Sequence, residues 1–204
     1  MKHSETRENR KEVILNTAIV CFTEYGYFKA SMDMIAEKAG ITKRGLYYHF
    51  KSKDDLFIAI FKYHGEKHFK VLTQKPPAGS SPEQSLLMFI QKGSKALIKD
   101  DVFLRFMVEL VSISARNLKV KEVIKEYYKN SIYCIQTFLE EGIKSGDFLQ
   151  HDTKKVARTL YFVGLGKFFA KCSFDIDFEL FGQQIFDVKQ ILMGINNCTN
   201  ASYK

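Results

Sequence analysis

Apolar residues recur at steps of three and four along almost the whole chain, and no run alternates apolar and polar residues as a half-buried strand does. That periodicity confines the chain to an all-α fold. A first helix is expected from about Arg7 to Tyr25, with Ile14, Ala18, Cys21 and Tyr25 on one face and Gly26 as its end. Ser31 then caps a short helix whose Met32, Ile35, Ala36 and Ala39 follow the amphipathic spacing, and Gly40 closes it as a left-handed cap. Thr42 caps a third helix of about two turns ending at His49. Ser52 with Asp55 resembles a capping box and starts a long helix, Lys53 to about Thr73.

KPPAGSSP, Lys75–Pro82, is the clearest interruption, because two adjacent prolines and a glycine cannot extend a helix. It divides the chain into 1–74 and 75–204. Ser81-Pro82-Glu83-Gln84 restarts a helix with a capping box and proline at its first position. Helices follow at about 82–98, 101–116, 119–144, 153–172 and 177–196, with Gly146, Asp152 and Asp175 in the gaps. With 204 residues, 46% of them apolar and 26% charged, the chain has enough material for a real core and is not of disordered composition. The four cysteines are scattered without a Cys-x-x-Cys pair, which fits free buried thiols and a reducing compartment. VILNTAIVCF is too short and too polar at Asn16 and Thr17 for a signal peptide, and no window reaches a membrane span. A soluble, cytoplasmic protein without membrane or cofactor is expected.

The net charge of +8 suits an anionic partner, but both halves share the excess. Its arrangement is more informative. ITKRGLYYHFKSKDDL, Ile41–Leu56, holds four Lys/Arg side chains, and no acid lies between Glu37 and Asp54. Three short helices with a glycine-bounded turn between the second and third describe a helix-turn-helix. Leu46 and Phe50 can brace the third helix from behind, against Ile35 and Phe22. The opposite face then offers Lys43, Arg44, Tyr48 and His49 to a polyanion, where each cation gains affinity by displacing counterions. Arg44 can present two parallel donors to guanine O6 and N7, and Thr42 suits a thymine methyl or a phosphate. Tyr47, Tyr48, His49 and Lys53 stand where the sugar-phosphate backbone would pass, so they would position rather than read. Gly45 carries a helix-propensity cost that a close backbone approach to DNA would explain.

GITKRGLYYHFKSKDDL, preceded by TEYGY and SMDMIAEKAG, resembles the N-terminal DNA-binding domain of the TetR family of bacterial transcriptional regulators. The resemblance covers about residues 10–57. It implies DNA contacts from Ser31, Thr42, Lys43, Tyr47, Tyr48, His49 and Lys53. Arg44 and Gly45 depart from the glycine and small polar residue that many members carry there. The resemblance also implies an effector-binding and dimerisation domain in the C-terminal half, and a repressor of a double-stranded DNA operator.

The residues of that half support pairing independently. Phe181, Ile185, Val188, Leu192 and Ile195 alternate steps of four and three, as do Tyr161, Leu165, Phe168 and Cys172; two such helices per subunit could build a four-helix homodimer interface. Packing within one subunit is the alternative. Asp101–Arg116 is apolar nearly all round and suits a central helix. Within it Glu109 follows Arg105 by four residues, as an intrahelical ion pair or as a polar anchor for a ligand. With 18 Phe, 10 Tyr and no Trp in the chain, Met88, Phe89, Phe103, Phe106, Met107, Tyr127, Tyr128 and Phe162 are candidate walls for a small apolar or aromatic effector.

Two other classes compete. His64 and His68 lie one turn apart, as zinc ligands can, although Glu66 is one place late for the protease motif and no third ligand is evident. Gly164-Leu165-Gly166-Lys167 fails both nucleotide fingerprints, and no nucleophile-base-acid set stands out. A nonspecific nucleic-acid-binding bundle is the remaining rival. A non-enzymatic, palindrome-binding regulator is the expectation.

Overall fold

The computed structural model describes residues 2–72, 76–174, 176 and 188–192. These form the helices α1 (Lys2–Lys29), α2 (Met32–Lys38), α3 (Lys43–His49), α4 (Lys53–Leu72), α5 (Pro82–Lys99), α6 (Asp101–Ser114), α7 (Leu118–Ser145) and α8 (Thr153–Phe174). Residues 188–192 are also helical, and no strand occurs among the described residues. The all-α expectation holds among the described residues, while most of the helix expected at 177–196 lies outside them.

The capping residues read from the sequence make the bonds expected of them. Ser31 Oγ accepts from the Met34 amide at 3.1 Å and Ser52 Oγ from the Asp55 amide at 3.1 Å. Ser81 and Gln84 exchange both bonds of a capping box, at 3.0 and 3.2 Å. Gly40 adopts φ 66°, with the Ile41 amide donating back to the Ala36 carbonyl at 3.0 Å. Gly26 interrupts α1 at φ 74°, ψ 160°, a conformation that a side chain resists, and one more turn follows it.

Packing groups the chain into two compact units, Met1–His68 with Asp100–Ile124, and Phe69–Lys99 with Lys125–Lys204. Residues 100–124 therefore join the N-terminal unit, across the boundary drawn at the proline-rich break. The reason is visible in the first core. Phe57 of α4 packs edge-on to Phe22 of α1 at 5.0 Å between ring centres, and Phe106 of α6 approaches Phe57 at 4.7 Å. Phe22, Phe57 and Phe106 are all fully buried. Burying one such ring contributes roughly 1.5–3 kcal/mol, so α6 is held to α1 and α4 by the main driving force of folding.

The second unit has its own core. Leu86 and Phe89 of α5, Ile132, Ile135 and Leu139 of α7, Ala157 and Leu160 of α8, and Phe148, Val188 and Leu192 form one buried cluster. Gly142 is where α7 lets Phe148 in: a β-carbon there would lie 2.0 Å from the Phe148 ring. Among the described residues, no helix is long and apolar enough to cross a membrane.

Candidate nucleic-acid interface

The third helix is anchored from one side and open on the other. Leu46 is completely buried, as is Ile35 on α2, and Phe50 closes the helix in the same core. Thr42 Oγ1 accepts from the Gly45 amide at 3.1 Å. A β-carbon on residue 45 would come within 3.2 Å of that hydroxyl, so glycine leaves room for the cap. The tight contact is a local reason for glycine beside the close approach to DNA expected there.

Away from the anchoring Leu46, the helix turns outward. Lys43, Arg44, Tyr47 and Tyr48 are exposed, and Gly45 and His49 are half-exposed. Tyr48 is 71% exposed and Tyr47 43%, so neither tyrosine is a core residue in disguise. Ser31 and Thr42 are exposed beside their caps. The Tyr48 and His49 rings meet edge-on at 5.4 Å. The surface is therefore a helical array of donors and aromatic edges, two turns long and backed by a dry core.

Two cations have specific occupations. Lys43 Nζ lies 2.8 and 2.9 Å from the two carboxylate oxygens of Asp33 on α2, and the hydrogen bond raises the Lys43 pKa. Lys53 is half-buried. Its ammonium donates to the carbonyls of Tyr27, Phe28 and Ala30 at 2.7, 3.3 and 3.1 Å and sits 4.5 Å above the Tyr27 ring. Burial lowers its pKa. The expected phosphate contact thus comes from a side chain whose three donors already close the end of α1. Asp33 was not among the sequence candidates. The usable signal was its position: ten residues before Lys43, across a turn whose geometry was legible.

Around this surface the first unit is tied together by polar bonds no periodicity reveals. Tyr27 donates its main-chain amide to Glu109 on α6 at 2.5 Å and its hydroxyl to Asp54. Asp54 also accepts from Asn117 Nδ2 at 2.7 Å. The Tyr27 hydroxyl first, and then Asn117, holds the Asp54 carboxyl below its usual range, while burial pushes the phenol well up. The Arg105–Glu109 pair expected along α6 does not form: Arg105 pairs with Asp101 at 2.8 Å, and Glu109 serves the turn at Gly26.

His64 and His68 both face Phe103 and Asp100. Their rings stack on Phe103 at 5.4 and 4.7 Å, and Asp100 Oδ2 lies 3.8 Å from His64 Nδ1 and 3.5 Å from His68 Nε2. Burial lowers both imidazole pKa values, with Asp100 opposing it. No set of three or more His, Cys, Asp or Glu among the described residues is arranged to hold a metal.

The candidates in the C-terminal half are dispersed. Phe103 and Phe106 belong to the first unit's core, and Met107 is half-buried on the same helix. Phe89 belongs to the second core, and Met88, Tyr127 and Tyr128 are half-buried there. Phe162 is 56% exposed, 5.8 Å from the Tyr128 ring. Of the pairing seams, Val188 and Leu192 are buried within their own subunit's core, which removes them from a free face. Tyr161, Leu165, Phe168 and Cys172 are half-exposed on α8. Phe181, Ile185 and Ile195 lie outside the described residues.

Residues 14–60 match the family model described as bacterial regulatory proteins, tetR family. The matched segment, which carries α2 and α3, is thus similar to the DNA-binding domain of that family. The fatty acid metabolism regulator protein of Bacillus subtilis is 26% identical to it over 73% of this chain and 76% of its own length. A TetR transcription regulator from Haloarcula marismortui superposes with a TM-score of 0.78 at 19% identity, covering 92% of this chain and 98% of the other. The transcriptional regulator FadR of Bacillus subtilis, solved in complex with stearoyl-CoA, superposes with a TM-score of 0.75 at 22% identity, over 90% and 98% of the two chains. These superpositions extend the likeness of fold over most of this chain.

Proposed function

We propose that this chain is a ligand-responsive repressor of the tetR family that binds a palindromic operator as a homodimer and is released by a long-chain acyl thioester such as an acyl-CoA. The observation that carries the DNA-binding part is the outward face of α3: exposed Lys43, Arg44, Tyr47 and Tyr48 opposite a fully buried Leu46. Ser31, Thr42 and His49 extend the same surface along the duplex backbone. Two such heads one turn of duplex apart, about 34–36 Å, would match the half-sites of a palindrome.

We assign reading to residues 1–74 and effector binding with dimerisation to 75–204, with α6 as the element of the latter segment that packs in the first unit. Tyr161, Leu165, Phe168 and Cys172 on α8 are the seam residues that remain partly accessible for a partner copy. The acyl-CoA class is supported by the stearoyl-CoA complex of the Bacillus subtilis regulator and by this chain's apolar side chains and net positive charge. A ligand of that kind shifts binding only by its differential affinity for the two arrangements of the dimer.

The test begins with duplexes selected by the protein from a random-sequence pool. Selected and scrambled duplexes are then titrated at one stated salt concentration, with and without stearoyl-CoA, free stearate and coenzyme A. Release by the acyl thioester alone is the expected outcome. Equal affinity for selected and scrambled duplexes would leave a nonspecific nucleic-acid-binding protein, and release by none of the three would remove the effector class.

A further inference from the structure

Asp33 is an acid on a surface shaped for a polyanion. Its side chain is 62% exposed and that of Lys43 is 61% exposed, so the pair is not a core support. An exposed ion pair adds about 0–1 kcal/mol to stability. Near phosphates, which offer only acceptors, the carboxylate has no partner and opposes binding. As the acid in the first turn of α2 it gains about 0.3–1 kcal/mol at the helix terminus, a contribution that does not require it to face Lys43. Its effect is to set an acceptor beside a donor, 2.8 Å apart, across the two helices of the reading head.

Base edges differ from phosphates in offering donors as well. In the major groove these are cytosine N4 and adenine N6. In a C·G pair the N4 donor lies beside guanine O6, about 2.9 Å away because a hydrogen bond joins the two. Guanine N7 follows as a second acceptor. An A·T pair instead separates its two acceptors by the adenine donor, so one ammonium cannot take both in the same way.

From this complementarity, and resting on the DNA-reading function proposed above, we infer that Asp33 and Lys43 act as one reading unit for a C·G base pair, with Asp33 a specificity-determining residue. The carboxylate accepts from cytosine N4 while the ammonium donates to guanine O6 and N7. Asp33 also withholds Lys43 from phosphates, which suppresses binding to unrelated sequence.

The experiment uses the full chain and duplexes selected from a random pool by the wild type, Asp33→Ala and Asp33→Glu, each checked for folding by a circular-dichroism melt. Wild type is expected to select C·G at one position of each half-site. Asp33→Ala should lose that preference by roughly 5- to 100-fold, the range of a single mismatched pair. Its affinity for scrambled duplex should rise, with a salt slope steeper by about 1 as Lys43 turns to a phosphate. Asp33→Glu, which keeps the charge, should retain part of the preference. A purely structural role would weaken all duplexes alike and leave the selected sequence unchanged; that result overturns the inference, as does a lost preference at an A·T position. If wild type selects no sequence at all, the DNA-reading function itself fails and takes the inference with it.

Discussion

Replacing Lys53 with methionine separates two roles that its position in the sequence leaves superimposed. Methionine keeps an unbranched stem beneath the Tyr27 ring but removes three donors. In the folded chain those donors meet the carbonyls of Tyr27, Phe28 and Ala30 at 2.7, 3.3 and 3.1 Å. Phe28 is exposed, so its carbonyl can turn to water, whereas Ala30 and Tyr27 are buried residues. Two carbonyls are left short of a partner, at about 1–3 kcal/mol each. The ammonium's own desolvation, which lowers its pKa, is recovered when it is removed, and the net loss is about 2–4 kcal/mol. Urea denaturation followed by circular dichroism measures that loss. In parallel, affinity for a selected duplex is measured over a range of salt, corrected for the folded fraction. A phosphate ligand contributes about one unit to the salt slope. The slope should stay at the wild-type value while the urea midpoint falls. A slope reduced by about one with an unmoved midpoint would refute the cap and restore Lys53 to the DNA-contacting set.

Other outcomes follow from the same geometry. Leu46→Ala removes a fully buried side chain behind the reading helix and should cost about 2–5 kcal/mol, read as a lowered urea midpoint with loss of DNA binding at temperatures where the variant unfolds. Gly142→Ala places a methyl 2.0 Å from the buried Phe148 ring and should destabilise by at least about 1–3 kcal/mol; a melting temperature equal to wild type would contradict that packing. Because the folded pKa of Asp54 is depressed, its contribution is present above the free carboxyl's range and disappears as pH falls through the folded value. Asp54→Asn should therefore flatten the loss of stability on acidification below about pH 4. For His64 and His68 the depressed values act on bases: no penalty arises above the free imidazole range, and one grows as pH falls below about 6.5 until the folded pKa is reached. The double variant His64→Gln, His68→Gln should lose that part of the stability difference between pH 7.5 and 5.5.

Local chemistry was legible along the chain because its causes are local. A serine three residues before an orphan amide makes a cap at Ser31, Ser52 and Ser81 whatever lies further away, and a glycine after Lys38 and Ala39 takes the left-handed conformation at Gly40 for the same reason. The outward face of α3 was also legible, since burying Leu46 fixes by helical geometry which neighbours point away. The choice between alternatives for one apolar or charged residue was not legible. Phe103 and Phe106 look the same in a helical pattern whether they line a pocket or fill a core, and only their packing against α4 decides. Arg105 had acids at both Asp101 and Glu109, one turn away in either direction, and the amide of Tyr27 claims the second.

By itself, the sequence determined the caps of the described helices, the helix-turn-helix and the side of α3 that faces outward. Each of these depends on interactions within a few residues. Tertiary structure alone decided that α6 belongs with the first unit, that Lys53 closes the end of α1, that Val188 and Leu192 are interior, and that Asp33 holds Lys43. Those outcomes depend on which distant surface reaches a side chain first, and spacing along a chain does not encode distance across a fold.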